Sequence, residues 1–440
     1  MKLIHNKVLV DVGDDEHILL NSLNGKIDLL DKSSFEILKN WDACEKIEPS
    51  NANEKSLYSA LFAGGYLVEN AMVEQKQKQD ILYSLRETHE RKQKSFSTLT
   101  FVITYDCNFR CSYCYEAGNV KYNHQMTKEM VDAALGLTDA DILTNVNLFG
   151  GEPLLLKNKD IVKYIFSRCE DKKIQITTNG YTLIEYIDLF EGHNFSQIQV
   201  TLDGPGNYHN QKRFLADGSP TYAKIMEGIE ACLKRKIPIH IRMNIDNRNV
   251  EKCIDLRKEL LEKWSSYDKL LSFEMYPLLQ LEAETRQGVI EGLSEIDACK
   301  TSEELAQANA TLATFRPIVN YFINGTPPYP LYAFCHAHGG SAFVDPLGDI
   351  YTCILSLGQK ELSVGRYYPN IEWKDNSILT RNIGNITECK SCEYALFCGG
   401  GCPLGLDGGY DDVFRSACAG IKDEIHTQIP YFFKLKRSEL

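Results

Sequence analysis

The sequence has no run of about 18 apolar residues, so nothing in it predicts a membrane-spanning helix. It has no excess of positive charge either. Its 48 Lys and Arg against 60 Asp and Glu give a formal net charge of −12, which argues against a nucleic-acid-binding surface. The first residues lack the apolar segment of an export signal and carry Asp11, Asp14, Asp15 and Glu16 instead. Cysteine, by contrast, is abundant, at 15 in 440 residues. With no export signal, these thiols predict a cytoplasmic protein in a reducing compartment. There, clustered cysteines are metal ligands or catalytic groups more often than disulfides.

Length predicts two or three domains. Residues 1–72 carry strand-like runs at Lys7–Val12, His17–Asn21 and Lys26–Leu30, with Asn24-Gly25 as a turn. A helix follows, capped by Asp31 or Ser33 and carrying Phe35, Ile37, Leu38 and Trp41, then a second over 53–63 and a short strand after Gly64-Gly65. Three strands and then helices is the layout of a small winged-helix module. Residues 73–96 are Gln-, Lys- and Glu-rich around Ile81, Leu82 and Leu85 and predict an exposed linking helix. Over 97–280, six strands alternate with amphipathic helices, which predicts parallel βαβ units with the chemistry at the carboxyl ends of the strands. Six strands are too few to close a full eight-stranded barrel, so the expected fold is α/β, a partial (β/α)6 barrel. A helical bridge (281–330), a Cys- and Gly-rich region (331–425) and a tail (426–440) complete the chain.

Ten cysteines fall into two sets. The first is Cys107-x3-Cys111-x2-Cys114, directly after the first core strand, with Tyr113 and Tyr115 around its last member. Three thiols leave one iron of a [4Fe–4S] cluster without a protein ligand and able to bind a small molecule. A zinc loop is the alternative, but zinc ordinarily takes four ligands. The second set is Cys335, Cys353 after Gly348, then Cys389-x2-Cys392-x5-Cys398-x3-Cys402, and Cys418. Its Cys-x2-Cys is also a zinc-knuckle spacing.

The first set resembles the signature of the radical S-adenosylmethionine (radical SAM) superfamily, and the second resembles its seven-cysteine SPASM pattern. The likeness covers roughly residues 97–420. It implies three [4Fe–4S] clusters, one that binds S-adenosyl-L-methionine (SAM) and two auxiliary. Cys335, Cys353 and Cys402 would hold one auxiliary cluster, and Cys389, Cys392, Cys398 and Cys418 the other. Gly150-Gly151-Glu152-Pro153 resembles the family's GGEP motif, which meets the amino group of SAM's methionine, the glycines allowing close backbone approach. Asn179 and Thr201, at the ends of the third and fourth strands, and Arg213 resemble residues that reach the ribose and carboxylate of SAM; each is also an ordinary turn or cap residue. Arg242 and Asn244 share a face of the fifth strand by period 2 and are further cavity candidates, as is Glu274 on the sixth.

Some SPASM proteins supply a fourth ligand to the first auxiliary cluster from just upstream of the first motif cysteine. Here Pro327–Phe334 contains none, the nearest being Cys299, so an open iron site or a non-cysteine ligand is expected. Cys44, Cys169, Cys232, Cys253 and Cys299 are expected to be structural thiols.

The resemblance implies an enzyme that generates a 5′-deoxyadenosyl radical and abstracts hydrogen from an unactivated carbon, fed by a low-potential donor such as flavodoxin or ferredoxin. Auxiliary clusters suit net oxidation. The module at 1–72 resembles the leader-recognition domain of peptide maturases, which captures a precursor peptide as an added strand; a packing cap or a dimerisation element is the alternative. The expected activity is therefore a side-chain crosslink in a ribosomally made precursor, thioether first and carbon–carbon next. A sulfatase-type maturase is the alternative. Such maturases begin near their first motif and carry an acidic residue after the second SPASM cysteine, where this chain has Ile354. An iron–sulfur electron-transfer or redox-sensing protein is the alternative of another class.

Overall fold

Short strands β1 (Lys2–Leu3), β2 (Lys7–Gly13), β3 (Glu16–Asn21) and β4 (Ile27–Leu30) open the chain, followed by helices α1 (Lys32–Asp42) and α2 (Ala52–Ala63), β5 (Leu67–Val68) and α3 (Ala71–Gln93). The computed structural model describes residues 1–93, 96–118, 123–246, 248–277, 316–335, 337, 339–402, 414–418 and 421–438. The chain divides into two compact units: Met1–Arg91 with Cys299–His338 and Thr380–Leu440, and Lys92–Ala298 with Gly339–Leu379.

In the first unit, β2, β3 and β4 form an antiparallel sheet in that order, and β1 pairs with β5. The β2–β3 turn places Asp14 and Asp15 at φ 55° and 59°, the double positive φ that a twisted hairpin favours. Asp31 caps α1 by accepting from Ser34 N at 2.7 Å, as the sequence predicts. Alternate residues Val8, Val10 and Val12 of β2 are buried with Ile318, Val319 and Phe322 of helix Arg316–Asn324 and with Ile425, Ile429 and Phe432 of helix Ile421–Ser438. The expected tail is thus helical, its apolar residues recurring at helical spacing on a buried stripe. The remaining face of the N-terminal region packs Leu19, Leu38, Trp41, Leu57 and Tyr66 together.

The linking helix is not exposed throughout. Glu74 and Lys78 of α3 are buried, and Ile81, Leu82 and Leu85 pack on Ile383, Ile386 and Leu396. One turn's worth of apolar residues suffices to seat a helix otherwise rich in charge.

The second unit carries the alternation. Its strands are β6 (Thr98–Val102), β7 (Asn145–Phe149), β8 (Lys173–Thr178), β9 (Phe195–Thr201), β10 (Ile239–Ile245) and β11 (Leu271–Pro277). Between them run α4 (Lys128–Leu135), α5 (Lys159–Arg168), α6 (Leu183–Phe190), α7 (Gly206–Lys212), α8 (Tyr222–Lys234) and α9 (Val250–Lys263). The six strands are parallel and adjacent in chain order. Leu99, Phe101, Val146, Leu148, Ile174, Ile176, Ile198, Val200, Ile239 and Ile241 form one buried face. Ile225, Ile229, Cys232 and Leu233 of α8 are also fully buried, each such side chain contributing about 1.5–3 kcal/mol.

A seventh parallel strand extends this sheet: β12 (Ser341–Val344) pairs with β6. It continues antiparallel through β13 (Asp349–Tyr351), β14 (Gly365–Arg366) and β15 (Glu372–Trp373). Runs of two to four residues are too short for a period to show in sequence. Gly348 is needed in the β12–β13 turn, at φ 88°, where a Cβ would meet the Tyr368 carbonyl oxygen at 2.5 Å.

Most of the expected helical bridge, including Cys299, lies outside the described residues. No helix among those described is long and apolar enough to cross a membrane.

Candidate functional site

Parallel strands are ordinarily apolar on both faces, but here the second face of the sheet is polar. Thr98 and Thr100, Asn145 and Asn147, Gln175 and Thr177, Gln199 and Thr201, His240, Arg242 and Asn244, and Ser272, Glu274 and Tyr276 follow one another in register from β6 to β11. Arg242 lies 4.0 Å over the Tyr276 ring and donates to Asn244 Oδ1 at 3.1 Å. His240 sits 2.9 Å from Ser272 Oγ and 3.5 Å from Glu274. The signal is the strict alternation in Thr-Leu-Thr-Phe, Asn-Val-Asn-Leu, Gln-Ile-Gln-Val and Ile-His-Ile-Arg. Read strand by strand, it marks a wall that faces a polar ligand rather than a packed core.

At the carboxyl ends of these strands lies the loop of Cys107, Cys111 and Cys114. It is held by strand-like pairing with the segment after α7. Arg110 N donates to Phe214 O at 2.8 Å, Ser112 N to Lys212 O at 3.1 Å and Ala216 N to Asn108 O at 2.9 Å. Cys107 and Cys111 are half-buried, Cys114 is exposed, and all three are free thiols. Burial, then the Glu152 carboxylate, pushes the Cys107 thiol up to about 12, and Cys111 and Cys114 add to the rise. The three thiols therefore share one electrostatic neighbourhood. Among the described residues no three His, Cys, Asp or Glu side chains converge as a single metal ion would require. A cubane cluster takes one thiolate on each iron, so three free thiols on one loop suit it in kind. Beside Cys107 and Asn108 opens a cavity of about 500 Å³, lined also by Tyr181, Thr182 and Lys224.

Gly150 and Gly151 pack on the chain leading into that loop. Gly150 is at φ 132°, and a Cβ there would meet Thr104 O at 2.3 Å; one at Gly151 would meet Tyr105 O and Asp106 O at 2.5 Å. Gly151 N and Glu152 N donate to Thr104 O and Asp106 O, both at 2.9 Å. What the missing side chains admit in this structure is the neighbouring backbone, so the glycines fix the cysteine loop against β7. Glu152 is fully buried. Its Oε1 accepts from Thr178 Oγ1 at 2.6 Å and Leu154 N at 2.8 Å, and its Oε2 from Asn179 N at 2.7 Å. Burial pushes its pKa up against these hydrogen bonds. Pro153 follows it, buried, with its carbonyl accepting from Asn158. Asn179 in turn donates to Asn108 Oδ1 at 2.8 Å and lies 3.9 Å from Cys107 Sγ.

Tyr113 joins the same loop to β9 and β10. Its hydroxyl donates to Asp203 and accepts from Arg213 at 2.7 Å and Asn244 Nδ2 at 3.1 Å. Arg213 is buried, with Nε unpaired among the described residues, and its charge acts on Cys111. A buried guanidinium with an unused donor beside the thiols fits an anionic ligand such as a carboxylate. Thr201 is buried on β9, in register with Arg242.

Two supporting residues carried no role in the sequence reading. Asp203 is fully buried and accepts from Asn244 N at 3.1 Å. His209 accepts from Asp203 N at 3.5 Å and contacts Thr221 Oγ1 at 3.2 Å; Thr221 donates on to Arg213 O at 2.8 Å. Burial, then Arg213, pushes this imidazole down to about 3. Leu-Asp-Gly-Pro with His six residues beyond the aspartate was the available signal.

In the first unit, Cys389, Cys392, Cys398 and Cys418 are mutual electrostatic neighbours. Cys335 and Cys402 belong to that unit too; Cys353 belongs to the second. Of the remaining thiols, Cys169, Cys232 and Cys253 are fully buried as expected, whereas Cys44 is half-buried and donates to Asn40 O at 3.4 Å.

Residues 101–260 match the radical SAM superfamily. The chain is 25% identical over 334 residues to the serine-type anaerobic sulfatase-maturating enzyme of Bacteroides thetaiotaomicron, which covers 68% of this chain and 80% of that protein. Its fold is like that of native anSMEcpe with bound AdoMet, with a TM-score of 0.56 at 17% identity, over 77% of this chain and 99% of that one. It is also like Streptococcus suis SuiB bound to precursor peptide SuiA, with a TM-score of 0.50 at 15% identity, over 94% and 99%. A three-cysteine loop at the carboxyl ends of a parallel sheet lies in the segment that matches this superfamily, so the chain carries the radical SAM domain of a family of iron–sulfur enzymes that bind SAM.

Proposed function

We propose that this enzyme is a peptide maturase that crosslinks a side chain of a ribosomally made precursor, a thioether from a cysteine thiol being the favoured bond and a carbon–carbon bond the next. The observation that carries this reading is the N-terminal region, Met1–Arg91, folded ahead of the radical SAM domain. The likeness to SuiB, whose structure holds a precursor peptide, extends over 94% of this chain, so it takes in most of that region, whereas the likeness to anSMEcpe extends over 77%. We assign the three-stranded sheet β2–β4 to capture of a leader segment as an added strand. The identity with a sulfatase-maturating enzyme over 68% of the chain supports formylglycine formation as the second reading.

In this proposal Cys107, Cys111 and Cys114 hold the SAM-binding cluster, and the C-terminal cysteines hold two auxiliary clusters in the division that the SPASM resemblance implies. Bound there, cluster and SAM supply a one-electron cleavage that yields methionine and a 5′-deoxyadenosyl radical. Arg213 holds the carboxylate of SAM, and Tyr113 and Asp203 fix that guanidinium. Asn179 and Glu152 order the loop that carries Cys107, while Thr201 lines the polar wall below. That wall orients the peptide carbon and excludes competing water. For a thioether, the carbon would give up a hydrogen atom, the thiol a proton, and the pair one further electron as the carbon–sulfur bond closes; an auxiliary cluster held by the C-terminal cysteines would supply the acceptor for that electron. An external low-potential donor supplies the electron for SAM cleavage.

The test is anaerobic incubation of reduced, reconstituted enzyme with SAM and the peptide encoded beside its gene. The expected result is 5′-deoxyadenosine and a peptide lighter by two hydrogens whose cysteine resists alkylation. A hydrazide-reactive aldehyde would establish the second reading. Absence of 5′-deoxyadenosine above the level of the Cys107→Ala variant would refute both.

A further inference from the structure

The first unit holds cations that the reaction above does not use. Arg381 is fully buried and donates to the carbonyls of Gly400 at 2.7 Å, Gly401 at 2.8 Å and Arg415 at 3.1 Å. Its electrostatic neighbours are Cys389 and Cys398 of one cysteine set and Cys335 and Cys402 of the other. Lys78, 8% exposed on α3, donates to the carbonyls of Lys390 at 3.0 Å and Cys392 at 3.4 Å. Burial pulls the Lys78 pKa down, and the nearby Cys392, Glu74, Cys389 and Glu393 side chains favour its charged form against that. Glu74 is already committed to Asn6, whose N and Nδ2 both donate to it at 2.7 Å. Lys422 adds a third positive charge near Cys392 and Cys418.

The backbone adds donors to the same place. The amides of Gly400 and Gly401 hydrogen-bond the Cys398 sulfur. Gly399, Gly400 and Gly401 lie at φ 72°, 90° and 72°, a turn that only glycine enters cheaply and that gathers successive N–H groups. A Cβ at Gly399 would meet the Ala333–Phe334 backbone at 2.7 Å.

An iron–sulfur cluster gains one negative charge on one-electron reduction. Net charge, hydrogen bonds to sulfur and burial set its potential. Buried cations and amide donors at its ligands all favour the reduced form, and Glu74 and Glu393 oppose them only in part. We propose that Lys78 and Arg381 are positioning residues that raise the reduction potential of the cluster held by Cys389, Cys392, Cys398 and Cys418, making it the acceptor of the electron that bond formation releases. The electron balance is one out of the substrate radical as its bond closes and one into the cluster. The proposal rests on the auxiliary-cluster reading above. It also gives α3 a role beyond linking, because that helix delivers Lys78.

The experiment is an EPR-monitored redox titration of the full chain with Cys107, Cys111 and Cys114 replaced by alanine, so that only auxiliary clusters respond. Lys78→Met keeps the apolar stem and removes the charge; Lys78→Arg restores the charge. The expected result is an unchanged iron content in Lys78→Met with one midpoint lowered by the equivalent of about tenfold in reduced fraction, about 59 mV for one electron, and recovery in Lys78→Arg. An unchanged midpoint with iron intact overturns the proposal and leaves the clusters standing. Iron loss in Lys78→Met assigns the lysine to folding and also overturns it. A parent protein without iron overturns the cluster reading itself.

Discussion

Glu152→Gln tests the site's buried framework directly. The carboxylate takes three donors, two of which are main-chain amides that cannot turn away: Leu154 N on Oε1 and Asn179 N on Oε2. Glutamine is nearly isosteric but replaces one oxygen by NH2. Whichever way the new amide is placed, its NH2 faces one of these N–H groups. One buried backbone donor loses its acceptor; at the Oε2 position the new side-chain donor also gains none, while at the Oε1 position only the Thr178 hydroxyl can turn to accept it. At roughly 1–3 kcal/mol for each stranded group, one or two such groups cost roughly 1–6 kcal/mol. Urea denaturation reads the result as a lowered midpoint at constant slope. Calorimetric SAM titration reads its consequence, because Asn179, once displaced, no longer holds Asn108 beside Cys107. The exposed Glu170→Gln is the control, expected within about 0.5 kcal/mol of the parent. A Glu152→Gln protein with the parent's midpoint and SAM affinity would refute the reasoning.

Gly151→Ala drives a Cβ to 2.5 Å from two backbone oxygens of the segment entering the cysteine loop, so the backbone has to shift. A loss of about 1–3 kcal/mol is expected, with lowered iron content after reconstitution; thermal melts and iron assay check it. His209 is held neutral, its pKa depressed to about 3, so folding favours the uncharged ring. The stability it contributes is complete above the unfolded value near 6.5 and is lost as pH falls from there toward 3, by up to about 1.4 kcal/mol per pH unit. Between pH 6.5 and 5 the parent should therefore lose about 2 kcal/mol that His209→Gln does not, measured by urea midpoints across that range; equal slopes would count against the assignment.

Much of the core was legible. The six strands and their helices follow the predicted alternation closely, as with β8 over Lys173–Thr178 and α6 over Leu183–Phe190. Local signals sufficed because each strand carries a clean period of two and each helix a period near 3.6. β12 to β15 were missed because strands of two to four residues exist only through their partners. The helix Ile421–Ser438 was read as a tail because its stripe of Ile425, Ile429 and Phe432 is conspicuous only against the sheet that buries it.

The sequence by itself determined the chemistry. Cys107, Cys111 and Cys114 stand within eight residues in a spacing that resembles the radical SAM signature, and that likeness is what points to a three-thiolate ligand set. It also determined which strand ends carry Glu152, Asn179 and Thr201. Tertiary structure alone decided what those residues do for one another. It spends the two glycines on the Thr104–Asp106 backbone, closes Tyr113, Asp203 and Arg213 into one network, and brings Lys78 to cysteines more than 300 residues away in sequence. Motif spacing is fixed by local geometry. Partners distant in sequence are chosen by packing, burial and the need of every buried donor for an acceptor.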